Sequence, residues 1–512
     1  MLLTAPRGAS FTATLPDEEA TRRFATDLAG ALEPGDLITL SGDLGAGKTT
    51  FARALIRHLA GDDTTEVPSP TFTLVQNYEL PRFVLVHADL YRVNSAAELA
   101  ELGFDDAPDG AVVLMEWPDR AAGTLPADRL DIALTLAPNA GPNVRQVRYT
   151  GYGAFAARSE RIALLRGFID EAGFGEAQRR RMQGDASTRI FERLTLGNRS
   201  AVLMNAPRRP DGPPVRDGKP YSAIAHLAED IVPYLALAAA LRRTDLSAPE
   251  ILHADLDRGL VLMEDLGVEP IVSGDPPAPV EIRYAAAVDL LASLHGRNLP
   301  NRLPITSALD YRLPRYDIGA FLIEAELLLD WYLVHAGTPI GEAARTAFVT
   351  LWRNALEPAM EAPATWVLRD YHSPNLLWLP QREGIARIGL LDFQDALIGP
   401  AAYDVASLLQ DARVDVSESL EMNLLGHYVR ARLSEDRGFD TGGFTLLYAT
   451  LAAQRATKIL GIFARLQRRD GKPQYLRHMP RLWGYLERSL AHPALAELKA
   501  WYAANVPSPD GL

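Results

Sequence analysis

Cysteine is absent from the 512 residues. That excludes a disulfide framework, a thiolate metal site and a cysteine nucleophile. Lysine is nearly absent too: Lys48, Lys219, Lys458, Lys472 and Lys499 are all there is, and arginine supplies the remaining basic residues. Against such an arginine-rich background a retained lysine calls for a chemical reason. Excess positive charge is also lacking, with 52 basic against 65 acidic residues and a formal net charge of -13. Residues 1–150 hold 12 basic and 21 acidic residues, so they carry -9 of that charge and the rest of the chain only -4. Affinity for a phosphate backbone comes from surplus Lys and Arg, so strong direct binding of nucleic acid is not expected. Long apolar runs are missing as well. The longest uncharged apolar stretch, Ile231 to Leu241, is far short of the ~20 residues that span a bilayer. The first residues carry Arg7, Asp17, Glu18 and Glu19 with no apolar core, unlike a signal peptide. A cytoplasmic protein with no membrane partner is expected.

What is present describes an ordinary globular chain, 47% hydrophobic and 23% charged. Residues 1–150 alternate short apolar runs with helical segments. The runs DLITLS (Asp36–Ser41), FVLVHA (Phe83–Ala88) and AVVLME (Ala111–Glu116) suit strands buried on both faces of a largely parallel sheet, which predicts an α/β domain. Asp131–Leu136 and Val144–Thr150 read as closing strands, and Gly151-Tyr152-Gly153 as the domain boundary. A second domain, 155–512, is predicted to be α+β and to open on a helix from Ala154 to Glu171. Within it, Pro207–Pro220 reads as a surface loop, Arg179-Arg180-Arg181 as a solvated helix end, and Trp331 and Tyr332 as core packing at helical spacing.

Gly42-Asp43-Leu44-Gly45-Ala46-Gly47-Lys48-Thr49 fits G-x-x-x-x-G-K-[ST], follows an apolar strand and runs through Thr50 into a helical pattern. Glycines let backbone N–H groups converge on phosphate oxygens, and the helix N-terminus adds positive potential. Lys48 is placed to reach the β- and γ-phosphates of ATP, and the Thr49 hydroxyl to ligate Mg²⁺. The loop also needs an acid at a neighbouring strand end, and either Asp89 or Glu116 can hold the metal or orient water.

GDLGAGKTTF, Ser69-Pro70-Thr71-Phe72, His87-Ala88-Asp89-Leu90-Tyr91-Arg92 and Glu116-Trp117-Pro118 occur in that order over about 150 residues. Together they resemble the TsaE-type ATPase subunit of the bacterial machinery that makes threonylcarbamoyladenosine on tRNA. The resemblance implies ATP hydrolysis that resets a complex containing the threonylcarbamoyl transferase, a protein partner that suits the local -9 charge. It also implies Lys48 and Thr49 as phosphate and Mg²⁺ residues, Glu116 as the metal-side acid and Asp89 as an acid needed for hydrolysis. Trp117 is placed beside the nucleotide or partner, and Thr71 in a γ-phosphate-sensing switch.

Leu368-Arg369-Asp370-Tyr371-His372-Ser373-Pro374-Asn375 contains D-x-x-x-x-N, the spacing of a kinase catalytic loop. Asp370 is placed to accept the substrate hydroxyl proton and Asn375 to bind Mg²⁺. Leu390-Leu391-Asp392-Phe393 then puts a second metal-binding acid at a strand end. Upstream, Gln183-Gly184-Asp185-Ala186-Ser187-Thr188 reads as a phosphate-covering hairpin in which Ser187 and Thr188 donate, and VLMEDLG (Val261–Gly267), with Glu264, as the adenine hinge. Asp404 reads as structural, and His372 as a loop hydrogen-bonder and not a base.

These pieces resemble the aminoglycoside phosphotransferase family of small-molecule kinases. QGDAS, Met204-Asn205-Ala206-Pro207, LMEDLG and LRDYHSPNLLW sit closest to its branch of anomeric amino-sugar kinases. The resemblance implies a protein-kinase-like fold with an N-lobe over about 155–268 and a C-lobe over about 269–512. It implies transfer from ATP·Mg²⁺ to the C1 hydroxyl of N-acetylmuramate or N-acetylglucosamine in cell-wall recycling. Other acceptors (an aminoglycoside, choline, homoserine) stay open, as does a pseudokinase scaffold. The chain departs from the kinase pattern at Leu368, at Phe393-Gln394 in place of Phe-Gly, and in having no lysine on the strand Ser200–Met204, where Arg189 or Arg193 is the available substitute.

Overall fold

The computed structural model describes residues 8–94, 98, 108–121, 123–182, 189–208 and 212–510. The chain divides into two compact units: Met1–Met182 with Glu192–Ser200, and Gln183–Phe191 with Ala201–Leu512.

The first unit is built on a seven-stranded sheet in the order β1-β7-β6-β2-β5-β4-β3. Its strands are β1 (Ala9–Leu15), β2 (Leu37–Ser41), β3 (Val75–Glu79), β4 (Val84–Asp89), β5 (Val112–Glu116), β6 (Arg129–Leu136) and β7 (Arg145–Tyr152). The central four, β6, β2, β5 and β4, run parallel, and antiparallel partners close both edges. The apolar runs of β2, β4 and β5 are buried along nearly their whole length, as the continuous pattern demands. Helix α1 (Glu18–Ala29) starts where the Asp17 carboxylate accepts from Ala20 N at 2.7 Å, and α2 (Lys48–Ala60) springs directly from the loop after β2.

The unit does not stop at Gly151-Tyr152-Gly153. Helix α3 (Ala154–Glu171) packs back onto β1 and β7. A Cβ on Gly151 would stand 2.3 Å from Ser159 Oγ and 2.4 Å from Phe155 O. That glycine therefore permits close helix-on-strand packing and does not mark a flexible joint. The following arginine run is also not a solvated helix end. Gln178–Arg181 is a strand, β8, paired antiparallel with β9 (Ile190–Leu196). Strand alternation turns Arg179 inward, where it pairs with Glu192 at 2.8 Å and with Asp27, and Arg180 outward, while Arg181 is exposed at the strand's end. Arg166 holds the same Asp27 at 2.7 Å.

The second unit opens on β10 (Arg199–Asn205), paired through Ala201–Asn205 with β12 (Leu260–Glu264), which also pairs with β11 (Ile251–Asp255). The expected loop at Pro207–Pro220 ends in a small hairpin that turns at Asp217 and Gly218, both at positive φ, the conformation a two-residue hairpin loop requires. The remainder is mainly helical. Helix α4 (Ile318–Ala325) leads into a π-wound turn at Leu328–Tyr332, α5 (Ala402–Leu409) lies behind the loop that carries Asp370, and the thirty-residue α6 (Thr441–Asp470) packs on all three. Tyr332 is buried with its hydroxyl 2.8 Å from Pro507 O, as core packing predicts.

Buried ionic contacts tie these helices to the catalytic loop. The Glu324 carboxylate on α4 receives Lys458 of α6 at 2.8 Å, the Arg369 guanidinium, the Tyr316 hydroxyl and Gln454 Nε2 at 3.3 Å. Burial alone would raise its pKa, but Lys458 and Arg369 overcome that and hold it at about 2, below the ordinary 4.5. Arg369 sits at φ 69°, a conformation L side chains rarely adopt. It is held there by its ion pair and by the Asp404 carboxylate, which accepts Leu368 N at 2.6 Å and Arg369 N at 2.8 Å.

Two outcomes follow for stability. Glu324→Gln leaves two buried cations short of their counter-charge and should cost about 3–5 kcal/mol in denaturant melts. Because the folded pKa lies below the unfolded one, the stabilisation is present above about pH 4.5 and fades as pH falls toward 2, so the variant should lose that acid limb. Gly461→Ala should destabilise although alanine is the better helix former, since its Cβ would stand 2.3 Å from the Leu327 carbonyl carbon. A loss of about 1–3 kcal/mol in the same melts is expected.

Candidate active sites

In the first unit the β2–α2 loop is shaped by contact as much as by dihedral freedom. Gly42 has φ 138°, and a Cβ there would lie 2.2 Å from Leu134 O, so β6 itself forbids any other residue. Gly45 and Gly47 also take positive φ, Ala46 is buried, and Ala46 N donates to Asp43 O at 3.1 Å, closing the turn that exposes Leu44. Lys48 Nζ donates to Gly42 O at 2.7 Å and Asp43 O at 3.1 Å, and it stands 3.8 Å from the centroid of the Trp117 ring. Burial lowers the Lys48 pKa, with Glu116 and Asp89 pulling the other way.

Parallel register places Asp89 directly beside Glu116 at the ends of β4 and β5. Both are buried. Glu116 Oε1 lies 3.4 Å from the Thr49 hydroxyl and 3.0 Å from His87 Nε2. Asp89 Oδ2 accepts from the Thr71 hydroxyl at 2.8 Å, Ser69 Oγ lies 2.7 Å from Thr71 Oγ1, and Asp89 Oδ1 takes Tyr91 N at 3.0 Å. Lys48, Thr49, Thr71, Asp89, Glu116 and Trp117 thus come together from four segments. Thr50 is turned about 100° further round α2 and lines a separate cavity of about 390 Å³ with Arg22, Arg53 and Arg57. Sequence reasoning gave His87 no role, yet it is fully buried against Glu116, and its place two residues before Asp89 on one strand face was the available signal.

In the second unit a cavity of about 600 Å³ is lined by Asp370, Asn375 and Asp392, with Arg189, His372 and Gln394 among its other walls. Asn375 Nδ2 donates to Asp370 O at 3.0 Å and Asn375 O accepts Leu391 N at 2.9 Å, so the D-x-x-x-x-N loop is stitched to the strand end that carries Asp392. Asp392 has φ 53°. Its carboxyl is pushed up to about 6 by burial and by the neighbouring charge of Asp370, against Arg189 at 3.2 Å and Gln394 Nε2 at 2.9 Å. The Gln that stands where kinases carry glycine is therefore a hydrogen-bond donor to the acid before it. Of the two arginines proposed to replace the missing lysine, Arg189 reaches this site, whereas Arg193 stands on β9 opposite Arg180.

Burial holds His372 below its ordinary pKa although Asp411 opposes it, so its imidazole is neutral at neutral pH. Ser373 N and Oγ both donate to Asp411 Oδ2, at 2.8 and 2.6 Å. The hinge residue Glu264 uses its side chain on Arg382 at 2.6 Å and Arg242 at 3.3 Å, and its N–H donates to Glu250 O at 2.8 Å. Ser187 and Thr188 lie outside the described residues. Both sites offer hard oxygen donors: Thr49 and Glu116 in one, Asn375 and Asp392 in the other. That donor chemistry, with the raised Asp392, fits Mg²⁺ better than a softer ion. Among the described residues no helix is long and apolar enough to cross a membrane.

Comparison with known proteins agrees with this geometry. Residues 15–145 match the family model for the threonylcarbamoyl adenosine biosynthesis protein TsaE, and residues 178–442 that for the phosphotransferase enzyme family. An N-acetylmuramate/N-acetylglucosamine kinase of Caulobacter vibrioides is 40% identical over 363 residues, covering 68% of this chain and 98% of that protein. One of Pseudomonas aeruginosa is 32% identical over 320 residues, covering 61% and 84%. A tRNA threonylcarbamoyladenosine biosynthesis protein TsaE of Rickettsia typhi is 41% identical over 126 residues, 25% of this chain and 87% of that protein. The chain therefore belongs to two ATP-using families in series, the TsaE family in its first part and the phosphotransferase enzyme family in its second.

Proposed function

We propose that this chain joins a TsaE-type ATPase, which serves threonylcarbamoyladenosine formation on tRNA through a protein complex, to a kinase that phosphorylates N-acetylmuramate and N-acetylglucosamine at the anomeric hydroxyl. The observation that carries the kinase reading is the convergence of Asp370, Asn375 and Asp392 on one cavity. Asp370 accepts the proton as the sugar hydroxyl attacks the γ-phosphorus of ATP; the new O–P bond forms as the bond to the β-phosphate oxygen breaks, and ADP leaves. Asn375 and Asp392 would hold Mg²⁺, which would supply charge neutralisation on the phosphates. Arg189 keeps Asp392 in place before nucleotide arrives, and burial, by lowering the basicity of His372, favours Asp370 for the base role.

In the ATPase, Lys48 and the loop amides bind the phosphates, and Thr49 and Glu116 would hold Mg²⁺. Asp89 orients the attacking water and Thr71, hydrogen-bonded to it, registers the γ-phosphate. The acidic charge of residues 1–150 supports docking on proteins of the threonylcarbamoyl transferase complex over binding bare RNA.

Three outcomes test this reading. Full-length protein with ATP should phosphorylate both N-acetyl sugars in a panel that also holds aminoglycosides, choline and homoserine; phosphorylation of only the latter group would replace the acceptor assignment. Asp370→Asn should lower kcat by roughly 10²- to 10⁴-fold while ATP binding persists, and an unchanged rate would remove Asp370 from the base role. Lys48→Ala should abolish ATP hydrolysis by the first site and deplete threonylcarbamoyladenosine in cells with no other copy, with sugar phosphorylation intact.

A further inference from the structure

One face of α6 borders the kinase cavity, and three of its cations, Arg455, Lys458 and Arg465, line it. They are not equivalent. Lys458 is already neutralised by Glu324 and donates to the Tyr403 hydroxyl at 3.3 Å. Arg455 donates to Gln410 O at 3.4 Å. Arg465 has no carboxylate in ion-pair range among the described residues, and its Nε is buried with no hydrogen-bond partner. Its guanidinium lies 5.4 Å from the centroid of the Tyr221 ring. Burial lowers its pKa, so the surroundings as they stand solvate the charge less well than water does. The neighbouring Ser222 Oγ, of a residue on the same cavity wall, is also buried without a partner among the described residues. Buried polar groups are normally satisfied, and a cavity lined by two residues that each carry an orphaned polar atom, one of them a cation without a counter-charge among the described residues, suits a polar, anionic ligand.

The helix also sets the spacing. Lys458 stands within electrostatic reach of Asp370. Arg465 follows seven residues later, which at 1.5 Å per residue is roughly 10 Å along the axis, about two turns. Asp370 and Arg465 line the same cavity, so a sugar whose anomeric hydroxyl meets Asp370 has room to reach toward Arg465. N-acetylmuramate carries its lactyl carboxylate there, whereas N-acetylglucosamine carries a neutral hydroxyl. A polycationic aminoglycoside would set its ammonium groups against the unpaired guanidinium.

We propose that Arg465, with the Ser222 hydroxyl beside it, is the specificity-determining corner of the acceptor site: it receives the carboxylate of an acidic amino sugar and sets the preference for N-acetylmuramate over N-acetylglucosamine. This rests on the kinase reading above.

The test compares kcat/KM for both sugars on the full-length protein. Arg465→Met keeps the side-chain stem and removes the charge; kcat/KM for N-acetylmuramate should fall roughly 10- to 100-fold while that for N-acetylglucosamine stays within about 2-fold. Arg465→Lys should recover part of the lost preference. The N-acetylglucosamine rate, measured on the same preparation, reports whether the fold survives. If Arg465→Met fails to fold, the methyl ester of N-acetylmuramate on the wild-type protein decides the matter, and it should show the same selective loss. An unchanged ratio of the two sugars in Arg465→Met, or an ester turned over as well as the acid, overturns this assignment alone. Wild-type protein that phosphorylates neither sugar overturns the kinase reading, and this assignment with it.

Discussion

The kinase unit depends on one buried carboxylate. Glu324 is contributed by a short helix, yet it is the shared counter-charge of Arg369, which precedes Asp370 in the catalytic loop, and of Lys458, midway along the longest helix. Two cations cannot be buried near each other without an acid between them, because neither desolvation cost would be met. Glu324 therefore fixes loop and helix relative to one another. It also allows Arg369 to keep a left-handed backbone, which sets the direction from which Asp370 leaves the loop. Asp404 does the same work from the other side by accepting two consecutive backbone N–H groups.

The two sites handle phosphate chemistry by different means. In the first unit the main chain does most of it. Gly42 is forced by the approach of β6, and one lysine lies folded onto its own loop carbonyls over the face of Trp117. Two acids arrive from adjacent parallel strands in register, so the sheet alone sets their separation. In the second unit side chains carry the load. Asp370 and Asn375 come from a loop and Asp392 from a strand end, and Arg189 and Gln394 hold the last of these. Arg189 reaches that site through its 3.2 Å contact with Asp392, consistent with a chain that uses arginine almost everywhere else.

Where a motif is local, it was readable. Gly42 to Thr49, Asp370 with Asn375, and the acids closing β4, β5 and LLD were legible because phosphate and metal chemistry restricts both residue type and spacing over a few positions. The parallel core of the first sheet was legible for the related reason that a strand buried on both faces must be apolar throughout. Reading failed where a residue's role depends on a distant partner. The arginine run at 179–181 looked solvated because its partners, Asp27 and Glu192, lie 152 and 13 residues away. Gly151 looked like a joint because the side of α3 that presses on it is invisible in a tripeptide.

The scarcity of lysine marks the same division. By itself the sequence determined that Lys48 belongs to a phosphate loop, since the glycines and hydroxyl that define its task are its immediate neighbours. It equally determined the two families and the pairing of Asp370 with Asn375. It left Lys458 as an unexplained member of a short list. Only the tertiary structure decided that Lys458 closes a buried ion pair with Glu324, 134 positions earlier, and that Arg465, on the same helix, has no such acid among the described residues. The physical reason is that the state of a charge is set by what surrounds it in space, through desolvation and pairing, and these depend on contacts that chain order does not record.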